Sequence, residues 1–188
     1  GSYAARVQPF TPGSCVKVPL TADSQLPDIF TLTAMIWPTQ PGEGAQTVFS
    51  VGAVSSGCAL FLGLDGAGRP RIAVRMTDHS WSECVLNSPI ADRYWARLSA
   101  SVNVAEGSLT LRCSSKQSDE ASYTEFSGST VLNAETMDCL MIAGSETTER
   151  QMHFNGKIDN PTVYEGCPDL DTLDEKIDKA PVYACWDF

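Results

Sequence analysis

Thr77-Asp78-His79-Ser80-Trp81-Ser82-Glu83 puts an indole, an imidazole and two carboxylates within one short stretch of chain. Such a set suits a sugar or another small polar ligand. The aromatic face gives the ligand something to stack on, and a few polar groups on a loop orient it. Asp78, His79, Trp81 and Glu83 are therefore the candidate ligand-binding residues. Packing is the competing reading, because large aromatics are mostly buried and Trp81 would then fold back over a sheet edge. Asp159 and Asn160 carry oxygens of the kind calcium takes, which makes them the candidate metal ligands. An Asp in such a place also caps a turn or pairs with an arginine.

Other chemistries lack their residues. Retaining glycoside hydrolysis needs two carboxylates about 5–5.5 Å apart. On a strand that means an E-x-D-x-E pattern, and no strand-like run holds one. Asp171, Asp174, Glu175 and Asp178 fall at helical spacing, where a solvated face with acids near the helix start accounts for them. Structural zinc takes four ligands at tight spacing, yet His79 and His153 are the only imidazoles and His79 with Cys84 the only close pair. No G-x-S-x-G nucleophile turn occurs. Cys113 follows Leu109 and Leu111 in an apolar alternation that favours an inert thiol. No catalytic residue is assigned, and this stretch of chain is read as non-enzymatic by itself.

Composition narrows the partners. The formal net charge of −10 and the lack of any basic stripe argue against nucleic acid. The longest apolar run falls far short of the ~18–20 residues that span a bilayer, so no membrane partner is expected. Seven cysteines, an odd count without a C-x-x-C, read as small core hydrophobes in a reducing compartment, which points to the cytoplasm. Gly1-Ser2 reads as a cloning remnant, so a native targeting signal could lie upstream. Val182 to Phe188 ends on bulky residues, which suggests one domain, residues 1–188, excised from a longer protein.

The elements that position these residues are short strands. Phe30 to Trp37 alternates, with Phe30, Leu32, Ala34 and Ile36 on one face and Thr31, Thr33, Met35 and Trp37 on the other. Strands are also expected over Ser14–Val18, Thr47–Val51, Cys58–Leu64, Arg71–Thr77, Tyr94–Val102, Ser108–Ser114, Tyr123–Phe126, Asp138–Ala143, Met152–Phe154 and Lys157–Tyr164, with a last strand in Pro181–Phe188. Asn155-Gly156 reads as a type I′ hairpin turn. Ser115 to Ser122 reads as a solvated loop, and Leu170 to Asp178 as one short helix. Trp37, Trp95 and Trp186 are core candidates. The fold class is all-β, an antiparallel β-sandwich with one short helix near the C-terminus.

Several runs carry a family resemblance. Phe30-Thr31-Leu32-Thr33-Ala34-Met35-Ile36-Trp37-Pro38, Gly57-Cys58-Ala59-Leu60-Phe61-Leu62, Trp95-Ala96-Arg97-Leu98-Ser99-Ala100-Ser101 and Gly107-Ser108-Leu109-Thr110-Leu111 stand in order. The closing run Phe154-Asn155-Gly156-Lys157-Ile158-Asp159 leads to Val163-Tyr164. Together they resemble laminin-G-like domains of the concanavalin A type, which implies a jelly roll. A narrower resemblance, through Gly13 to Pro19 and the final Ala184-Cys185-Trp186-Asp187-Phe188, is to the laminin-G-like module of N,N-dimethylformamidase large-subunit-like proteins. That resemblance implies a non-catalytic accessory module docking the catalytic domain of its parent amidohydrolase, or a partner subunit. The alternative is a lectin-like module for a glycan or small ligand, with calcium optional and no other cofactor.

Overall fold

The computed structural model describes residues 15–21, 25–53, 57–132, 137–145, 152–166 and 182–186. Twelve strands pair antiparallel into two six-stranded sheets. The first sheet has the order β1 (Val16–Pro19), β10 (Cys139–Ile142), β3 (Gln46–Ala53), β4 (Gly57–Leu64), β5 (Pro70–Arg75), β6 (Trp81–Val85). The second has the order β12 (Val182–Cys185), β11 (Gly156–Glu165), β2 (Ile29–Pro38), β7 (Ala96–Asn103), β8 (Ser108–Ser115), β9 (Asp119–Glu125).

The two-residue period of each strand decides which side chains meet between the sheets. From the second sheet come Phe30, Leu32, Ala34, Ile36, Leu98, Ala100, Val102, Leu109, Leu111 and Val163. They face Phe49, Leu60, Leu62, Ile72, Val74 and Leu140 from the first, all essentially without solvent contact. Cys84 and Cys113 belong to the same core. The expected alternation of β2 therefore holds. Its other face carries hydroxyls that pair across the ladder with β7, Thr31 with Ser101 and Thr33 with Ser99, both at 2.8 Å.

Three expectations need correction or fall elsewhere. Asp119 to Ser122, expected within a loop, belongs to β9, which pairs with β8 from Ser108↔Glu125 to Ser114↔Asp119. As an edge strand it exposes alternate residues and shows no apolar signal. Asn155-Gly156 is not a hairpin turn either. His153 bridges Thr47 in the first sheet, while Gly156 pairs with Pro38 in the second, so this dipeptide carries the chain between layers. The helix expected over Leu170 to Asp178 lies outside the described residues.

The crossing is held by one buried amide. Gln46 Oε1 accepts the Asn155 N–H (2.9 Å), and Gln46 Nε2 donates to the Gln40 carbonyl (2.7 Å). Asn155 Nδ2 donates to Gln40 Oε1 (3.0 Å). Gly156 is required by crowding: a Cβ there would collide with the Trp37 carbonyl oxygen and lie 2.8 Å from the Phe154 ring. Gly156→Ala is thus expected to destabilise by about 1–3 kcal/mol, as overpacking does. Leu98→Ala, which opens a cavity in the shared core, should cost about 2–5 kcal/mol. Urea unfolding of both variants measures these losses, and a Gly156→Ala midpoint equal to that of the parent would refute the crowding.

Candidate ligand-binding site

The rows of β2 and β7 run on past their last core pair, Ile36↔Ala96. The next side chain on β2 is Trp37, which alternation turns to the outer face. Opposite it, just before β7, stands Trp95. The two indoles stack with centroids 6.0 Å apart and planes 27° from parallel. Lys157, paired with Trp37 across β11 and β2, holds its ammonium 4.3 Å from the Trp37 ring centroid, a cation–π contact. Trp37 is thereby braced on both sides, while Trp95 (44% exposed) and Tyr94 (54% exposed) offer their rings to solvent. Trp37 and Trp95, expected in the core, are instead the wall of a surface cleft; Trp186 does pack against the core.

The cleft has a volume of about 810 Å³, and Met35, Trp37, Tyr94, Trp95, Arg97 and Asp119 are among its lining residues. A second outward row supplies its floor: Met35, Arg97, Ser114 and Asp119 are register partners across β2, β7, β8 and β9, and Asp159 of β11 continues the row beyond the cleft. The loop before β7 is pinned by the Arg93 N–H, which donates to the Pro38 carbonyl (2.8 Å), with Arg93 at φ 57°. The tight turn at Ser115–Ser118 forms the far rim. There Ser115 Oγ accepts the Gln117 and Ser118 N–H groups (3.1 Å each), which presents Lys116 and Gln117 to the cleft. Arg112 grips Asp119 with two hydrogen bonds, Nε to Oδ1 (2.9 Å) and Nη2 to Oδ2 (2.7 Å). That donation holds the Asp119 carboxyl below the ordinary aspartate range. The Trp37 indole N–H is buried and finds no acceptor.

The residues singled out from sequence lie on the opposite sheet. Thr77-Asp78-His79 forms the β5–β6 connection, closed by the His79 N–H to the Met76 carbonyl (3.0 Å) and the Met76 N–H to the Ser80 carbonyl (2.9 Å), with His79 at φ 70°. This is a type I turn followed by a left-handed residue. Asp78 accepts Ser80 Oγ (2.6 Å) and the Ser80 N–H (2.9 Å), which lowers its pKa. His79 Nδ1 accepts from Arg75 Nη2 (3.1 Å), and Glu83 accepts from Arg71 (2.7 Å). Trp81 leans on Phe61, centroids 5.2 Å apart, and keeps 40% of its surface. All four share one hairpin, but each already answers to a neighbour in the chain.

Asp159 and Asn160 stand where the β11–β2 register shifts, with Asn160 at φ 47° and its Nδ2 donating to Asp159 Oδ2 (3.3 Å). Among the described residues no three His, Cys, Asp or Glu side chains gather as a metal group would. The described cysteines are all thiols: Cys15 and Cys185 exposed, Cys84, Cys113 and Cys139 buried, and Cys58 between. Burial pushes Cys58 and Cys113 up to about 12, and the carboxylates of Asp119 and Glu120 add to the effect at Cys113. Among the described residues, no helix is long and apolar enough to cross a membrane.

Among the described residues, then, two six-stranded antiparallel sheets form a sandwich with an aromatic cleft on one outer face. A laminin G family model, described as the Concanavalin A-like lectin/glucanases superfamily, matches residues 13–171, and the chain belongs to that family. Solved structures with this fold include the Ruminococcus gnavus IT-sialidase CBM40 bound to α2,3-sialyllactose. That one is 15% identical with a TM-score of 0.64 and covers 80% of this chain and 82% of its own. The enzymatically active domain of bacteriophage CBA120 tailspike protein 2 is 14% identical with a TM-score of 0.62 over 91% of this chain. The LG1-3 region of the laminin α2 chain is 13% identical with a TM-score of 0.61 over 79%. The present chain spans 28% of that tailspike domain and 29% of the laminin LG1-3 chain. At these identities the likeness speaks for the fold alone. No curated protein sequence matches.

Two measurements check the site's electrostatics. Carboxyl-detected NMR titration should place Asp119 below the 3.8 of an ordinary aspartate. Because its folded pKa is depressed, the Arg112 pair supports the β8–β9 rim at neutral pH and loses that contribution as pH falls through the lowered value. Arg112→Gln should return Asp119 to the ordinary range. Brief alkylation near neutral pH should modify Cys15 and Cys185 and spare Cys58 and Cys113, since only the thiolate reacts; rapid labelling of Cys113 would contradict its burial.

Proposed function

We propose that this module is lectin-like and binds a glycan in the cleft against Trp95 and Tyr94. The observation that carries the reading is the stacked Trp37–Trp95 pair standing beside an outward row in which Arg97, Ser114 and Asp119 present polar side chains on three adjacent strands. A braced indole gives a sugar ring a flat apolar surface at no further ordering cost. Arg97, Ser114, Gln117 and Asp119 supply hydrogen-bonding partners around it. The family and the sialyllactose-bound CBM40 among the similar folds support the same class of ligand. The hairpin carrying Asp78, His79, Trp81 and Glu83 is the rival location.

A glycan array followed by calorimetric titration tests this. Trp95→Ala should weaken binding about tenfold or more, consistent with the roughly 0.5–1.5 kcal/mol of ring stacking plus lost buried area. Trp81→Ala should leave affinity within about twofold. The reverse pattern would move the site to the first sheet, and no bound glycan at all would defeat the reading.

Docking to a catalytic domain, the arrangement the dimethylformamidase resemblance implies, is favoured by one observation. An apolar groove of about 310 Å³ opens between β1 and β12, lined by Val18, Leu20, Leu26, Leu140, Val163 and Trp186. Under that second reading Val182→Asp on the exposed edge would break association with the parent protein's further domain and leave glycan binding intact. Loss of glycan binding in that variant would count against separate surfaces.

A further inference from the structure

The charges around the cleft run against those of the molecule. The chain carries −10 overall, yet Arg93, Arg97 and Lys116 line the cleft and Lys157 sits on the Trp37 ring, against the carboxylates of Asp92, Asp119 and Asp159. Asp119 is already committed to Arg112 by two hydrogen bonds, so its charge is largely answered within the protein. Asp92 lies 3.8 Å from Arg93 with both side chains more than half exposed, a separation at which the attraction is well screened. A net-negative molecule repels an anion on average and guides it to a positive opening, and a low-dielectric aromatic wall strengthens that field.

Placement sharpens the argument. The cations that line the cleft come from three elements: Arg93 from the loop before β7, Arg97 from β7 and Lys116 from the β8–β9 turn. The exposed ring of Trp95 lies among them. A ligand stacked there brings its substituents within reach of guanidinium and ammonium groups. A neutral sugar would use the ring and gain nothing from these charges. A sugar bearing a carboxylate or sulfate would use both, with charge-assisted hydrogen bonds about twice as strong as neutral ones.

Resting on the lectin-like reading, we infer that the cleft selects an acidic glycan, one whose rings carry carboxylate or sulfate groups. The stacked indoles hold the sugar ring, and Arg93, Arg97 and Lys116 meet its anionic substituent.

A glycan array carrying neutral, uronate-containing, sialylated and sulfated oligosaccharides, read with the whole chain, tests the inference. The expected hits are anionic, and their affinity falls about tenfold or more between about 50 mM and about 500 mM NaCl, as screening requires. Lys116→Glu, at an exposed turn tip, should weaken these hits several-fold, and Trp95→Ala should remove them. Carboxyl-reduced or desulfated versions of the same oligosaccharides should bind at least tenfold more weakly. Hits that are neutral, or that keep their affinity on carboxyl reduction and in high salt, overturn the acidic selection and leave the lectin reading standing. Anionic hits unaffected by Trp95→Ala place the binding elsewhere and overturn the inference at this cleft. An array with no hits overturns both readings together.

Discussion

The β2–β7 ladder is the interaction on which the remainder depends. Its inward side chains, Phe30, Leu32, Ala34 and Ile36 with Leu98, Ala100 and Val102, form most of the second sheet's side of the sandwich core. Its outward side chains form the floor of the cleft. Because a strand's side chains alternate strictly, a shift of one residue in this pairing would expose the core row and bury the indoles. The pairing that buries the apolar row therefore also aligns Trp37 with Trp95. Stability and site geometry share one register.

The hydroxyl pairs between the two strands fit this division. Thr31 with Ser101 and Thr33 with Ser99 satisfy one another on the outer face, so the centre of the sheet stays polar without leaving unpaired groups. Only at the end of the ladder do large rings replace hydroxyls. There the Gln46–Asn155 clamp and the crowded Gly156 bring β11 alongside β2, which sets Lys157 against the Trp37 ring. The loop before β7, anchored on the Pro38 carbonyl, sets Trp95 on the other side. Long-range elements thus converge on one aromatic pair.

Much of the architecture was legible in the chain because burial on one face writes a two-residue period. β2, β5, β7 and β8 carry it plainly, while β4 is a continuous apolar run. β9 does not, since an edge strand of Asp, Glu, Ser, Tyr and Thr half faces water and resembles a loop. Asn155-Gly156 looked like a turn because glycine allows positive φ; Gly156 does take a positive φ, but between two sheets, where the close Trp37 carbonyl also excludes a Cβ. The site was harder still. Trp37 and Trp95 are far apart in sequence, and only the strand register joins them. One signal was available: Trp37 falls on the Thr31-Thr33-Met35 face, opposite the apolar row, which is an odd place for a core tryptophan. The loop containing Trp81 drew attention by local density of functional groups, whereas the cleft is assembled from four strands and two connections.

The chain has four tryptophans, Trp37, Trp81, Trp95 and Trp186. Their indole N–H signals therefore offer a direct reading of where a glycan sits. An assigned two-dimensional NMR spectrum recorded while titrating an array-positive oligosaccharide is the most direct test. The account predicts saturable shifts of the Trp95 and Trp37 indole signals, with Trp81 and Trp186 stationary. A titration that moves Trp81 and leaves the stacked pair unchanged would contradict it.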